Sequence, residues 1–285
     1  KIGLWVAYAL LMALTGFVSA WLAIRARPDS ADGSTIRING DVVEVGKSVS
    51  SKTARRVAVV ISLIVGVIFG SQFNANWSEI LLMFNAQSFG TTDPQFGLDN
   101  GFYVFVLPGL KLVLAAVAML LGVGLVFSVV THVLMGGIRI TMPVNGRGLF
   151  SITKRCRRQL GIWLMLNMFA WAVRQMIGVF DQLTVQGSRI TGASYTAVHA
   201  NIPVTFIMAA LTAILGVVLG IWLMRSHTLE GQASIGVRAS AALKAWRVPV
   251  TSIAVVVVVG LVLTVAWPML LQRFRVNPNA QEMES

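Results

Sequence analysis

Long apolar runs separated by polar segments dominate the sequence of this 285-residue chain. The runs begin near Gly3, Val57, Gly109, Leu160, Val204 and Val248. A helix needs about 20 mostly apolar residues to cross the hydrocarbon core of a bilayer. The pattern therefore predicts an all-α integral membrane helical bundle over residues 1–276. Its six transmembrane helices are predicted at Gly3–Ile24, Val57–Phe73, Gly109–Met135, Leu160–Phe180, Val204–Met224 and Val248–Leu270.

Two shorter segments between these runs carry patterns of their own. Trp77–Phe89 is apolar but too short to cross a bilayer, which predicts one short helix lying at the membrane interface. The alternative is that it extends the second span. Ile36–Val45 reads as two short strands around Asn39-Gly40, a dipeptide typical of hairpin turns.

The polar segments alternate between basic and nearly uncharged. Loops 25–56, 139–159 and 225–247 hold 7, 6 and 4 of the 23 Lys and Arg residues, whereas Val57–Leu110 holds none. Basic loops stay on the cytoplasmic side of a membrane. We therefore expect these three loops in the cytoplasm of a bacterial cell, and loops 74–108 and 181–203 outside. The fragment is then a multi-pass protein of the plasma (inner) membrane with both ends extracytoplasmic.

Composition narrows the class of protein further. Only 12% of the residues are charged and 56% are hydrophobic, whereas a soluble domain carries about 25% charged residues. The net charge of +12 does not predict nucleic-acid binding, because most basic residues flank apolar runs. Cys156 is the only cysteine, which excludes an internal disulfide. The first residue is Lys1 and residues 277–285 are polar, so we expect a truncated piece of a larger protein.

No catalytic signature is present, and the chain offers no metal-ligand spacing, so neither a cofactor nor an enzyme is predicted. Two polar side chains inside the fourth span are candidate functional groups by default. Arg174 either reaches the headgroups, pairs with a residue such as Asp181, or belongs to a transport pathway. Asn167 either hydrogen-bonds a neighbouring helix or binds a substrate.

Two Gly-x-x-x-Gly motifs predict close helix packing. Gly66 and Gly70 form the first, and Gly216 and Gly220 the second. Small residues four apart let helix backbones approach each other. The contact could lie within one bundle or between subunits, and we favour the first.

The outer segment from Phe89 to Pro108 is the least generic part of the sequence. Asp93, which precedes Pro94, fits a turn or cap position, and Phe102 and Tyr103 fit an aromatic belt at the membrane surface. A cation site using Asp93 and Asp99 is the alternative, although their spacing matches no calcium-binding loop.

This same segment resembles the pattern Asp-Pro-x-Phe-x-x-Asp-x-x-Phe-Tyr-x-Phe-x-Leu-Pro of a bacterial membrane-protein family catalogued as uncharacterised protein family zero-one-eight-two. Asp93, Phe96, Asp99 and Tyr103 fit that pattern, and the resemblance extends over nearly the whole chain. It implies seven N-terminal spans followed by a large extracytoplasmic domain. In that arrangement the chain begins at the second span and ends where the outer domain starts. The resemblance implies no activity.

Two functions follow from these observations. The first is an anchor that organises the protein's own extracytoplasmic domain in an envelope assembly, in contact with membrane lipids and with a second copy or other envelope proteins. The alternative is transport or lipid handling. An intramembrane enzyme is a weak third. A water-filled path to Arg174 or Asn167 would favour transport, and a dry bundle with packed glycines would favour the anchor.

Overall fold

The structure is a computed structural model that describes residues 2–26, 34–38, 41–45, 50–140, 150–184, 193–226 and 235–276. Six of its helices are long and apolar enough to cross a membrane, by length and composition. They cover Ile2–Arg25, Ser51–Ser71, Phe102–Leu134, Lys154–Leu183, Ala197–Arg225 and Trp246–Arg275. The predicted all-α bundle with six spans is confirmed.

The described residues form eight α-helices, two small hairpins and five short 3-10 or π-helical turns. The helices are α1 (Ile2–Arg25), α2 (Ser51–Ala75), α3 (Trp77–Phe84), α4 (Leu107–Leu134), α5 (Lys154–Gly178), α6 (Ile202–Arg225), α7 (Ile235–Leu261) and α8 (Trp267–Leu271). The strands are β1 (Ser34–Ile38), β2 (Asp41–Val45), β3 (Ile138–Ile140) and β4 (Phe150–Ile152), paired antiparallel as β1–β2 and β3–β4. The first hairpin has the predicted position, with Ile38 opposite Asp41. The second, with Ile138 opposite Ile152, was not predicted.

The short helix α3 ends earlier than the predicted Trp77–Phe89. It stops at Phe84 because Asn85 closes the last turn, where its side-chain amide donates to the Leu81 carbonyl at 2.8 Å. Only Asn76 separates α3 from α2. The side chains of Leu81 and Phe84 are exposed, in keeping with a helix that faces lipid. Its position at the membrane interface stays a prediction.

In three helical segments, a wide π-helical turn comes just before a proline. The five-residue π-helical turns Phe102–Val106, Ala197–Asn201 and Val262–Ala266 end two residues before Pro108, Pro203 and Pro268 respectively. Proline lacks an N–H and its ring clashes with the carbonyl four residues back, and a wider turn relieves both problems.

These turns lengthen the spans beyond the sequence prediction. The third span starts at Phe102 rather than Gly109. The sixth span also extends beyond the predicted Val248–Leu270, and neither proline near its predicted ends stops the helix. Pro249 lies inside α7, and helical turns continue past Pro268 to Val276. The start of α7 at Ile235 also turns part of loop 225–247 into helix, because that segment is rich in alanine.

The described chain divides into two compact units. The first comprises Lys1–Ala75, Met119–Leu166 and Val218–Pro249, and the second Asn76–Ala118, Asn167–Val217 and Val250–Ser285. In the first unit, an apolar core forms around Ile152, Cys156 and Leu160. Partly buried side chains of Leu125, Val129, Ile138, Trp222 and Leu223 complete it.

The contact between α1 and α2 is built from small residues. Buried positions among the described side chains of α2 recur every four residues, at Ala58, Ser62, Gly66 and Gly70. A β-carbon placed on Gly66 would lie 2.5 Å from the Ala9 carbonyl oxygen of α1. One placed on Gly70 would lie 2.8 Å from the Ala9 β-carbon. The two helix backbones therefore approach closely only because both positions lack a side chain.

The second glycine pair lies between α5 and α6. Gly216 packs against Met168, and Gly220 packs against Met165. A β-carbon on Gly220 would also lie 2.9 Å from the Gly161 carbonyl oxygen, and one on Gly161 would lie 2.9 Å from that of Gly220. In this structure of one chain, all four glycines of the two motifs thus contact neighbouring helices.

Candidate functional site

The segment between α3 and α4 folds into a compact loop, which we call the outer loop (residues 86–101). Its backbone closes on itself, since the amide of Asp93 donates to the Leu98 carbonyl at 2.9 Å and that of Asn100 to the Thr91 carbonyl at 2.8 Å. Gly90 and Gly97 adopt φ angles of 70° and 67°. Side chains rarely tolerate that region, so glycine at these two turns suits the loop.

The carboxylate of Asp93 organises one half of the outer loop. One oxygen accepts hydrogen bonds from the backbone amides of Gln95 and Phe96, at 2.8 and 2.7 Å. The other accepts from the Leu98 amide at 3.0 Å and from the Tyr103 hydroxyl at 2.7 Å. Asp93 is only 7% exposed. The bonds to nearby amides place it at the start of a turn.

Asp99 organises the other half in the same way. Its carboxylate accepts the Ser88 hydroxyl and the amides of Phe89, Gly90 and Gly101, at 3.0, 3.0 and 2.7 Å for the three amides. Gly101 also packs against the Gln87 carbonyl, where a β-carbon would clash. The two aspartates are therefore joined to the backbone on both sides of the loop.

Both carboxylates are held in their charged form. Burial opposes ionisation of Asp93, but the bonds from Phe96, Tyr103, Leu98 and Gln95 outweigh it and lower its pKa. The Ser88 hydroxyl, followed by the backbone amides, lowers the pKa of Asp99 to about 2. A depressed pKa adds stability above the ordinary carboxyl pKa, and that stability is lost as pH falls through the lowered value. The hydrogen bonds to the two carboxylates should thus stabilise the outer loop fully above about pH 4 and progressively less as the pH falls below that value.

This bonding pattern favours the turn-forming role of the aspartates over a cation site. Each carboxylate already accepts four hydrogen bonds from the chain. Within the part of the chain that the structure describes, no group of three or more His, Cys, Asp or Glu side chains is placed to hold a metal ion.

Aromatic rings join the outer loop, and the helical turn that follows it, to the short turn Val179–Leu183 after α5. Phe180 lies edge-on to Phe96 and Phe102, with ring centroids 5.0 and 5.3 Å apart, and near Tyr103 at 6.4 Å. Such edge-to-face pairs contribute about 0.5–1.5 kcal/mol beyond the area they bury. Phe102 and Tyr103 were predicted as belt residues, and the structure also gives them this packing role. Sequence reasoning missed Phe180, whose only signal is its place at the end of the fourth span.

The two polar candidates of the fourth span are not among the hydrogen-bond partners of Asp93 and Asp99. Asn167 is half-buried on α5, and Arg174 is exposed on the same helix. Asp181, the suggested partner of Arg174, instead forms an ion pair with Lys111 of α4 at 2.8 Å. Every hydrogen bond seen to Asp93 or Asp99 comes from residues 88–103.

A buried polar network in the first unit was missed by sequence reasoning. His132 of α4 is 1% exposed, and its Nε2 lies 3.0 Å from Oε1 of Gln159. The Gln159 amide nitrogen donates to the Ser19 carbonyl of α1 at 2.9 Å. Because Gln159 Oε1 only accepts, the hydrogen bond assigns the proton of His132 to Nε2. The sequence positions of His132 and Gln159 could have predicted this contact, since the two residues lie at adjoining ends of the third and fourth spans.

Other buried polar groups belong to the same unit. Arg157 is fully buried, one helical turn past Thr153, whose carbonyl accepts the Arg157 amide at 3.0 Å. The hydroxyls of Ser62 and Ser128 are buried and find no hydrogen-bond partner among the described residues. Ser62 lies against Gly16 of α1, and Ser128 precedes His132 by one turn of α4. Polar groups inside a membrane helix bundle are rare and often functional.

Comparison with known proteins places the chain among proteins without an assigned activity. A protein of Bifidobacterium adolescentis is 76% identical over 285 residues, which is all of this chain and 26% of that protein. A protein of Kocuria rhizophila is 33% identical over 99% of the chain and 26% of its own length. One from Corynebacterium diphtheriae is 31% identical over the whole chain and 27% of its own length. All three are described as UPF0182 proteins. No solved structure matches the chain.

The family model agrees with these relatives and with the fold. The chain spans about a quarter of the length of the relatives named above. The model of the uncharacterised protein family UPF0182 matches residues 1–285. With its six helices that could cross a membrane, the chain is therefore a membrane protein that belongs to the uncharacterised family UPF0182.

Proposed function

We propose that this chain is the membrane anchor of a longer envelope protein and that it holds the extracytoplasmic part of that protein in place. The observation that carries the proposal is the concentration of spans. Six candidate spans occupy a chain that matches only about a quarter of its relatives' length. An anchor needs stable helices and a defined surface for the attached domain, rather than a site for chemistry.

Two features of the structure support that role. The glycines of α2 and α6 bring their helices into direct backbone contact with α1 and α5, which leaves no space for a solute at those contacts. Hydrogen bonds to the carboxylates of Asp93 and Asp99 hold the outer loop together. The loop therefore offers a fixed surface to an attached domain. Second copies or other envelope proteins as partners stay predictions.

The proposal includes an orientation. The segment Val57–Leu110, which contains the outer loop, lacks Lys and Arg, and the loops on the other side are basic. This asymmetry supports an extracytoplasmic outer loop and extracytoplasmic ends of the chain in the plasma membrane.

Cysteine labelling tests the orientation in intact bacteria. A Cys156→Ala background removes the only cysteine of the chain and should therefore not react. Thr92→Cys, at an exposed site of the outer loop, is expected to react with a membrane-impermeant maleimide. Ser234→Cys is expected to react only after the cells are opened. Labelling in the reverse order would contradict the proposed orientation.

Site-specific cleavage tests the anchor itself. A protease recognition sequence is inserted between residues 277 and 285 of the full-length protein, in the polar segment after the last helix. Adding the protease to spheroplasts is expected to release the C-terminal part into the soluble fraction, because the spans hold it to the membrane. Full-length protein without the inserted sequence is the control. A C-terminal part that stays with carbonate-washed membranes would contradict the anchor role.

Transport or lipid handling is the second candidate, favoured by the buried polar network of His132, Gln159 and Ser19. Transport needs water to reach such groups from both sides of the membrane. A Ser128→Cys variant in the same Cys156→Ala background separates the two functions. We expect it to be unreactive toward the maleimide from either side, and ready reaction would favour transport.

A further inference from the structure

The adjoining ends of α1 and α5 carry a group of exposed basic side chains, which we call the basic rim. It comprises Arg25, Lys154, Arg155 and Arg158. Arg155 Nη1 donates to the Arg25 carbonyl oxygen at 3.4 Å, which brings the last residue of α1 next to the first turn of α5. Two helices therefore contribute cationic side chains to one place in the first unit.

The described structure provides no carboxylate for this charge. The four acids whose side chains are described, Glu79, Asp93, Asp99 and Asp181, all belong to the second unit, and Asp181 pairs with Lys111. Lys154 and Arg158 are four residues apart on one helix, a spacing at which like charges repel. The first turn of α5 adds the positive end of its helix dipole. An anion at the basic rim would relieve this repulsion.

Exposed apolar stripes lead up to the basic rim on both helices. On α1, Leu14, Val18 and Leu22 are 57, 38 and 43% exposed and end at Arg25, three residues on. On α5, Ile162 and Leu166 are 45 and 43% exposed and follow Arg158 at four and eight residues. The Arg25 guanidinium lies over the Trp21 ring at 3.6 Å. Tryptophan and arginine typically mark the level of lipid headgroups.

We infer that the basic rim binds the phosphate of an anionic glycerophospholipid such as phosphatidylglycerol, with the acyl chains lying along the apolar stripes of α1 and α5. Arginine matches phosphate because its planar fork donates two hydrogen bonds at once. A soluble phosphate compound would use the arginines but not the stripes, so the exposed apolar residues that precede Arg25 and follow Arg158 favour a lipid. The inference needs only the membrane location of the chain and does not depend on the anchor role.

Equilibrium binding of a fluorescent short-chain phosphatidylglycerol to the full chain in neutral detergent tests the site. Each cation near a lipid surface contributes enough that Arg25→Gln or Arg155→Gln should weaken binding about fivefold. The double variant should lose about 25-fold if the two contributions add. Arg174→Gln removes an exposed arginine elsewhere on α5 and is expected to bind like the wild type.

Competition and salt series identify the ligand and guard against misfolding. Unlabelled phosphatidylglycerol should displace the probe, whereas phosphatidylcholine and glycerol phosphate should not. Equal displacement by glycerol phosphate would point to a soluble phosphate and overturn the lipid assignment. Equal displacement by phosphatidylcholine, or full affinity in the double variant, would overturn the site. If the variants unfold, the salt dependence of the wild-type protein still tests the site. Binding of phosphatidylglycerol to a charge-based site must weaken as the sodium chloride concentration is raised.

Discussion

Replacing Gly66 with alanine is expected to lower the stability of the helix pair α1–α2 by about 1–3 kcal/mol, the range for overpacking a well-packed core. The added β-carbon would lie 2.5 Å from the Ala9 carbonyl oxygen and 3.2 Å from the Ala13 β-carbon. No side-chain rotation relieves a clash with backbone, so the helices must separate. Gly66→Leu should abolish the folded state. Thermal unfolding of the purified protein in detergent measures both.

Gly3→Ala is the matched control for this substitution. It adds the same methyl group to α1 at a position where nothing lies within 4 Å. Alanine also favours the helix by up to about 1 kcal/mol over glycine. We therefore expect Gly3→Ala to unfold at the wild-type temperature or slightly above it. If Gly66→Ala and Gly3→Ala unfold at the same temperature, the close contact of α1 and α2 is not present in the membrane protein.

Replacing Asp93 with alanine is expected to open the outer loop, with a cost of about 3 kcal/mol. The substitution leaves the amides of Gln95, Phe96 and Leu98 and the Tyr103 hydroxyl without their acceptor. Hydrogen bonds to a charged group contribute about 1.5–3 kcal/mol each, and water recovers part of the loss near the surface. Hydrogen exchange of the loop amides, followed by mass spectrometry, should become about 100-fold faster.

Two further substitutions should affect the outer loop less than the loss of Asp93 does. Tyr103→Phe removes one donor to Asp93 and should cost about 1 kcal/mol. Asp181→Asn breaks the partly exposed pair with Lys111, a type of contact worth at most about 1 kcal/mol, and should leave exchange in the outer loop unchanged. Unaltered loop exchange in Asp93→Ala would mean that the carboxylate does not organise the loop.

The outer loop explains why the most distinctive motif of the sequence need not be a reaction centre. Its two aspartates, two left-handed glycines and the tightly packed Gly101 each satisfy a geometric demand of one turn. Residues that meet such geometric demands are hard to substitute even when they take no part in a reaction. An anchor role is consistent with that reading, because it needs shape rather than reactivity at the surface.

The polar residues that the structure buries in the helices differ from the candidates that the sequence predicts. Arg174 was predicted as a candidate functional group of the fourth span, yet its side chain is exposed. Its suggested partner, Asp181, pairs with Lys111 instead. Among the described residues, the buried basic side chains are His132 and Arg157, which the sequence places only near the ends of spans. Burial depends on which face of a helix meets its neighbours, and a single sequence with nearly uniform apolar helices does not reveal that face.

The sequence by itself determined the six spans, the first hairpin and the glycine motifs. Each depends on local information: the length of an apolar run, a turn dipeptide, or small residues four apart. The exact ends of the spans were less accessible, because prolines that usually end helices are accommodated here by wide turns. The family resemblance also came from a local motif in the outer loop.

Only the tertiary structure decided which distant residues meet. Lys111 pairs with Asp181 across 70 residues, and Gln159 bonds the Ser19 carbonyl across 140. Arg155 reaches the end of α1 across 130 residues, which is what assembles the basic rim. Such pairings follow from how helices pack and rotate against each other. Hydropathy and charge patterns fix the helices along the chain but carry no information on that rotation.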